Sequence, residues 1–96
     1  MIVNPGAGGG AGGLKVVAEG VLFLDANEDK FIDFDTAAKF AIVSVANTGS
    51  KTGVALADGP MEHLAMGASI HLVNGGKQLR IFGPTYGSEF RYIAIG

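Results

Sequence analysis

The segment Ala68-Ser69-Ile70-His71-Leu72-Val73-Asn74-Gly75-Gly76-Lys77-Gln78-Leu79-Arg80-Ile81-Phe82 reads as two extended runs joined by a reversal. Ile70 and Leu72 alternate with His71, and Leu79 and Ile81 alternate with Arg80. That period of two belongs to strands with one face in a core. Between them, Asn74-Gly75 offers the pair of positive φ angles that a type I′ hairpin demands. An antiparallel hairpin is therefore expected here, with its apolar residues on one side.

The same texture continues outward in both directions. Short runs rich in Val, Ile and Phe are punctuated by Gly, Asn, Asp and Pro every 8 to 12 residues, the rhythm of strands joined by turns. Strands are expected over residues 14–24, 31–35, 39–46, 52–57, 68–73, 78–82 and 89–95. Asn27-Glu28-Asp29 and Asn47-Thr48-Gly49-Ser50 carry the turn residues that join neighbouring strands. These seven strands predict an all-β fold, an antiparallel β-sandwich, with Phe23, Phe34, Phe40 and Phe90 in its core. One stretch departs from the pattern. Pro60 to Gly67 has proline where a helix starts and glycine where one stops, so at most one or two turns of helix are expected.

Residues 1–13 end in Gly-Ala-Gly-Gly-Gly-Ala-Gly-Gly, which has almost no side chain to bury and reads as a flexible leader before a domain over residues 14–96. A chain of 96 residues holds one core. At 48% hydrophobic and 17% charged it is too apolar for a disordered tail, and no stretch approaches the roughly 18 apolar residues of a membrane span. Seven basic against nine acidic side chains give a net charge of −2, which disfavours nucleic acid as a partner. With zero cysteines there is no thiolate nucleophile and no disulfide. Met1-Ile2-Val3-Asn4-Pro5 lacks the basic start of a signal peptide, so classical secretion is not expected.

Several motifs invite chemistry and then lack its context. Gly8 to Gly13 satisfies G-x-G-x-x-G, but a strand rather than a helix is expected after it, so a linker is the better reading. Ile2-Val3-Asn4-Pro5-Gly6-Ala7-Gly8-Gly9 resembles the opening of the diacylglycerol kinase and NAD kinase superfamily, whose Gly-Gly-Asp-Gly motif is missing. Asp25, Asn27, Asp29 and Asp33 supply oxygen at positions 1, 3, 5 and 9 of a calcium loop. Lys30 at the position that needs glycine and Thr36 in place of the bidentate glutamate oppose it, leaving a polar hairpin tip as the main reading and calcium as the minor one. His63 and His71 have no readable partner, and no Gly-x-Ser-x-Gly elbow surrounds any serine, so no catalytic set emerges. Tyr86 stands in the loop Gly83-Pro84-Thr85-Tyr86-Gly87-Ser88, where an aromatic ring is well placed to meet a ligand.

The ending Glu89-Phe90-Arg91-Tyr92-Ile93-Ala94-Ile95-Gly96 resembles the terminal strand of small β-sandwich domains in phage tail and prophage structural proteins, which are similar to the H-type lectin fold. The hairpin 70–82 and the glycine-rich leader fit the same layout. This resemblance implies a structural, non-enzymatic protein that works as a homo-oligomer, trimer or hexamer, among virion proteins. A small core also leaves apolar strand faces over, which association would bury. The alternative is a lectin-like module that recognises a cell-surface glycan through Tyr86, Asn74, Arg80 and Asn47.

Overall fold

The computed structural model describes residues 14–46 and 51–96; the leader over 1–13 and the reversal with Asn47 lie outside the described residues. Among the described residues eight strands occur: β1 Val16–Leu24, β2 Asp29–Asp33, β3 Phe40–Val45, β4 Thr52–Leu56, β5 Glu62–His63, β6 Ser69–Val73, β7 Gln78–Phe82 and β8 Ser88–Ile95. They form two four-stranded sheets, β1-β8-β3-β4 and β2-β7-β6-β5, and every pairing within the sheets is antiparallel. The expected all-β sandwich is the fold of this chain.

Alternation decides what lies between the layers. From the first sheet, Leu24, Ala41, Val43, Val45, Ala55, Phe90 and Ala94 point inward. From the second come Ile70, Leu72, Leu79 and Ile81, with Leu64 and Phe34 closing the sides. Phe90 and Ile81 are fully buried, and each side chain of this size removed from water contributes about 1.5–3 kcal/mol. At Gly53 an added Cβ would fall 2.6 Å from the Leu64 side chain. A small residue on β4 is thus what lets Leu64 reach the interior.

Four local features differ from the sequence reading. The second strand spans Asp29–Asp33 rather than 31–35, because Asp25 to Glu28 closes the turn early: the Glu28 amide donates to the Asp25 carbonyl at 3.1 Å and Asn27 adopts φ 61°. Residues 60–67 stay within at most one or two turns of helix, but the helical part does not start at Pro60. Glu62 and His63 pair with Ile70 and Ser69, and only a single 3-10 turn, Ala65–Gly67, follows, with Met66 at φ 64°. The edge pairing and the burial of Leu64 outweigh the Pro-to-Gly framing.

The hairpin between β6 and β7 does use positive φ at Asn74 (57°) and Gly75 (65°), but Val73 pairs with Gln78, so four residues rather than two make the connection. The longer turn is explained by Gly76, at φ 90°, whose carbonyl accepts the Ala38 amide at 2.8 Å. Lastly, Phe34 and Phe90 are core residues, whereas Phe23 is 56% exposed and Phe40 is half-buried with its outward-facing neighbours. Both of these occupy the strand parity opposite to the core.

Candidate functional site

Two surfaces carry the features that could act on other molecules. The first is the outer face of the sheet β1-β8-β3-β4. In the register of that sheet, Ile95, Phe40 and Leu56 lie side by side across β8, β3 and β4. Ile93, Ile42 and Val54 form the next row. All six point away from the core, and Leu56 and Val54 remain 51% and 43% exposed. The third row is polar, with Arg91, Ser44 and Thr52. Val21 and Phe23 extend the apolar area along β1, and Glu19 interrupts it. An apolar centre with a polar border is the surface pattern of a contact region.

The second surface is the outer face of β2-β7-β6-β5. Here Arg80 is held on three sides. Its Nε and a terminal nitrogen donate to the two Asp29 carboxylate oxygens at 3.0 and 2.8 Å. Its guanidinium carbon lies 4.0 Å from the centre of the Phe82 ring and 5.3 Å from that of Phe31. Stacking and the bidentate pair together fix a side chain that would otherwise sample many rotamers. Nearby, His71 Nε2 contacts the Gly59 carbonyl at 3.3 Å and His63 Nδ1 contacts Ser69 Oγ at 3.0 Å. Gln78 donates to Asp33 at 2.8 Å.

Hydrogen bonding from Arg80 holds the Asp29 carboxyl below its usual range, its slight burial opposes that, and the guanidinium charge adds to the lowering. A depressed folded-state value means the pair stabilises the fold fully above the unfolded-state pKa and loses that contribution as pH falls through the folded one. In Arg80→Gln the Asp29 midpoint, followed by the NMR shift of its carboxyl carbon, is expected to rise towards the ordinary value of about 3.9. An unchanged midpoint would show that the guanidinium does not set it.

The sequence-derived binding residues do not converge. Asn74 lies in the turn before β7 and Tyr86 in the loop after it, at opposite ends of the sandwich, with Arg80 between them on the sheet face. Tyr86 is 65% exposed on a loop pinned at several points: Thr85 N–H donates to the Met66 carbonyl at 2.7 Å, the Pro84 carbonyl accepts from Asn27 at 2.8 Å, and Ser88 Oγ donates to the Tyr86 carbonyl at 3.0 Å. The oxygen set considered for calcium is likewise spread out. Asp29 and Asp33 stand at the two ends of β2, about 13 Å apart along a strand. Asp29 serves Arg80 and Asp33 serves Gln78, and the Asp25 amide donates to Glu28 Oε1 at 2.8 Å. Among the described residues no group of three or more His, Asp or Glu side chains is arranged to hold a metal.

Sequence reasoning named Arg80 as a binding candidate without its neighbours Asp29, Phe31 and Phe82, and it expected leftover apolar strand faces without placing them. The signal for that face was present. Phe40-Ala41-Ile42-Val43 and Tyr92-Ile93-Ala94-Ile95 are apolar at both parities, which marks strands covered on two sides rather than one. Compared with family models, with curated proteins and with solved structures, the chain matches none.

Proposed function

We propose that this chain is a non-enzymatic assembly component that works by self-association, with the outer face of β1-β8-β3-β4 as its contact surface. The observation that carries the reading is the double row of Phe40, Ile42, Val54, Leu56, Ile93 and Ile95 facing away from the core. The two rows, three strands wide and about four residues long, project to roughly 190 Å², an apolar centre that the polar row beside it borders as in a contact site. Two such faces related by a two-fold axis bury one another, because the same patch is offered by both partners. The resemblance of the final strand to phage tail sandwich domains supports placing the protein among virion or appendage components.

Ile42 sits at the centre of the patch, paired with Ile93 on one side and Val54 on the other. Ile42→Arg is expected to raise the dissociation constant of the face contact by roughly 30- to 1000-fold, as for a central contact residue. Light scattering and sedimentation over a concentration series measure this. An assembly that keeps its mass and affinity in the Ile42→Arg variant would rule the face out. The second reading, glycan binding, has in its favour the 49% exposed Phe31 ring beside the rigid Asp29–Arg80 pair, and a glycan array with the wild-type protein tests it.

A further inference from the structure

The four sheet edges of this sandwich are unequal. β2 is five residues long and carries Asp29, Lys30 and Asp33; β5 has two residues; β4 has five and contains Gly53. Short length and charge are the usual protections against unwanted strand pairing. β1 has neither. Its nine residues, Val-Val-Ala-Glu-Gly-Val-Leu-Phe-Leu, include one charge and no proline. Among the described residues β8 is its only neighbouring strand.

Which backbone groups line that open edge follows from the ladder. The Ile95 carbonyl accepts from Lys39 and the Glu89 carbonyl from Ala46, so the odd-numbered residues of β8 turn their polar groups toward β3. Its even-numbered residues therefore face β1, where Ala94, Tyr92, Phe90 and Ser88 pair with Ala18, Gly20, Leu22 and Leu24. Glu19, Val21 and Phe23 are left with N–H and C=O groups directed away from the sheet. The bulge between Val16 and Ala18 disturbs only the start of the strand, and Ala18 to Leu24 runs in regular register.

We propose that this edge pairs with β1 of a second copy, antiparallel about a two-fold axis at Val21. In that register Val21 meets its own counterpart, Glu19 meets Phe23, and each of the three pairs exchanges two N–H to C=O bonds. The sequence selects this alignment. Centring on Glu19 would set two carboxylates opposite each other, which is destabilising, and centring on Gly20 would bring the bulged Val17 into the ladder. The outward side chains of both copies then lie on one side, so the apolar faces join across the seam. This inference goes beyond the face contact and rests on a separate observation. The edge axis is normal to the sheet and the face axis lies parallel to it, so where the two axes intersect they close four chains into a tetramer.

The test uses full-length protein. Amide exchange of Glu19, Val21 and Phe23 is expected to slow by about a hundredfold or more between dilute and concentrated samples, while Ala18, Gly20 and Leu22 are protected in both. Val21→Pro removes an amide that no bond among the described residues uses and is expected to halve the assembled mass. Val21→Lys, which keeps that amide but puts two cations opposite each other, should do the same, and circular dichroism confirms the fold of both variants. A mass unchanged in both variants, or fast exchange of the three amides at every concentration, overturns the edge contact and leaves the edge to an extended segment of another protein. Ile42→Arg reports on the face alone: a dimer there that dissociates only when Val21→Pro is added shows both contacts, and a wild-type dimer that Ile42→Arg leaves intact but Val21→Pro splits shows the edge without the face.

Discussion

Phe90→Ala is expected to lower the unfolding free energy by about 3–5 kcal/mol. Phe90 is fully buried on β8, a central strand, where it is paired with Leu22 on one side and Val45 on the other. Its ring fills the space between the layers, and both flanking strands are held in ladders that restrict collapse around a cavity. Domains of this size have total stabilities of about 5–15 kcal/mol, so the loss is a large share of the whole. Urea unfolding should show a lower midpoint with an unchanged slope. Phe90→Leu, which keeps most of the volume, is expected to cost less than about 1.5 kcal/mol. Equal stability of wild type and Phe90→Ala would mean that the layers do not meet at this ring.

Gly76→Ala should be nearly as damaging. At φ 90° a side chain is strained, and a Cβ at this position would collide with the carbonyl oxygen of Ala38. Relief requires the turn to move away from residue 38, which breaks the bond from the Ala38 amide to the Gly76 carbonyl. Backbone strain and the lost bond together amount to about 2–4 kcal/mol. Gly75→Ala is the informative control, because its Cβ meets nothing within 4 Å although its φ is 65°. The difference between the two variants in thermal or urea unfolding isolates the contact with Ala38 from the cost of the left-handed conformation. Identical losses would place the whole effect in φ.

Both predictions concern residues whose type was readable and whose surroundings were not. Asn74-Gly75 announced a reversal, yet nothing local tells that Gly76 touches residue 38. The seven strand runs were legible because β-branched and aromatic residues cluster between turn formers, and the missing one, β5, is two residues long and has no periodicity to detect. Faces were harder than strands. Phe23 and Phe40 looked like core by residue type, but the parity of β1 and β3 turns them outward, and parity is decided by which neighbour is deeper in the sheet. The candidate site divides in the same way. Asp29 read mainly as part of a polar hairpin tip and only secondarily as a calcium ligand by its spacing to Asp25 and Asp33, whereas its partner Arg80 is 51 residues away in the chain. Only the register between β2 and β7 brings those two charges together.

The pairing of the first strand with the last has a temporal meaning. Lys15 and Gly96 exchange amide bonds at 3.2 and 2.9 Å, and every intervening segment must be threaded before that seam can close. During synthesis on the ribosome β1 emerges before the other described strands and waits for β8, so its pairing groups stay unsatisfied until β8 has emerged. Ordering that depends on such distant partners is slow, on the order of milliseconds to seconds. For that interval a nine-residue ribbon with a single charge is unprotected, and a nascent copy on a neighbouring ribosome offers it the same partner as a finished one.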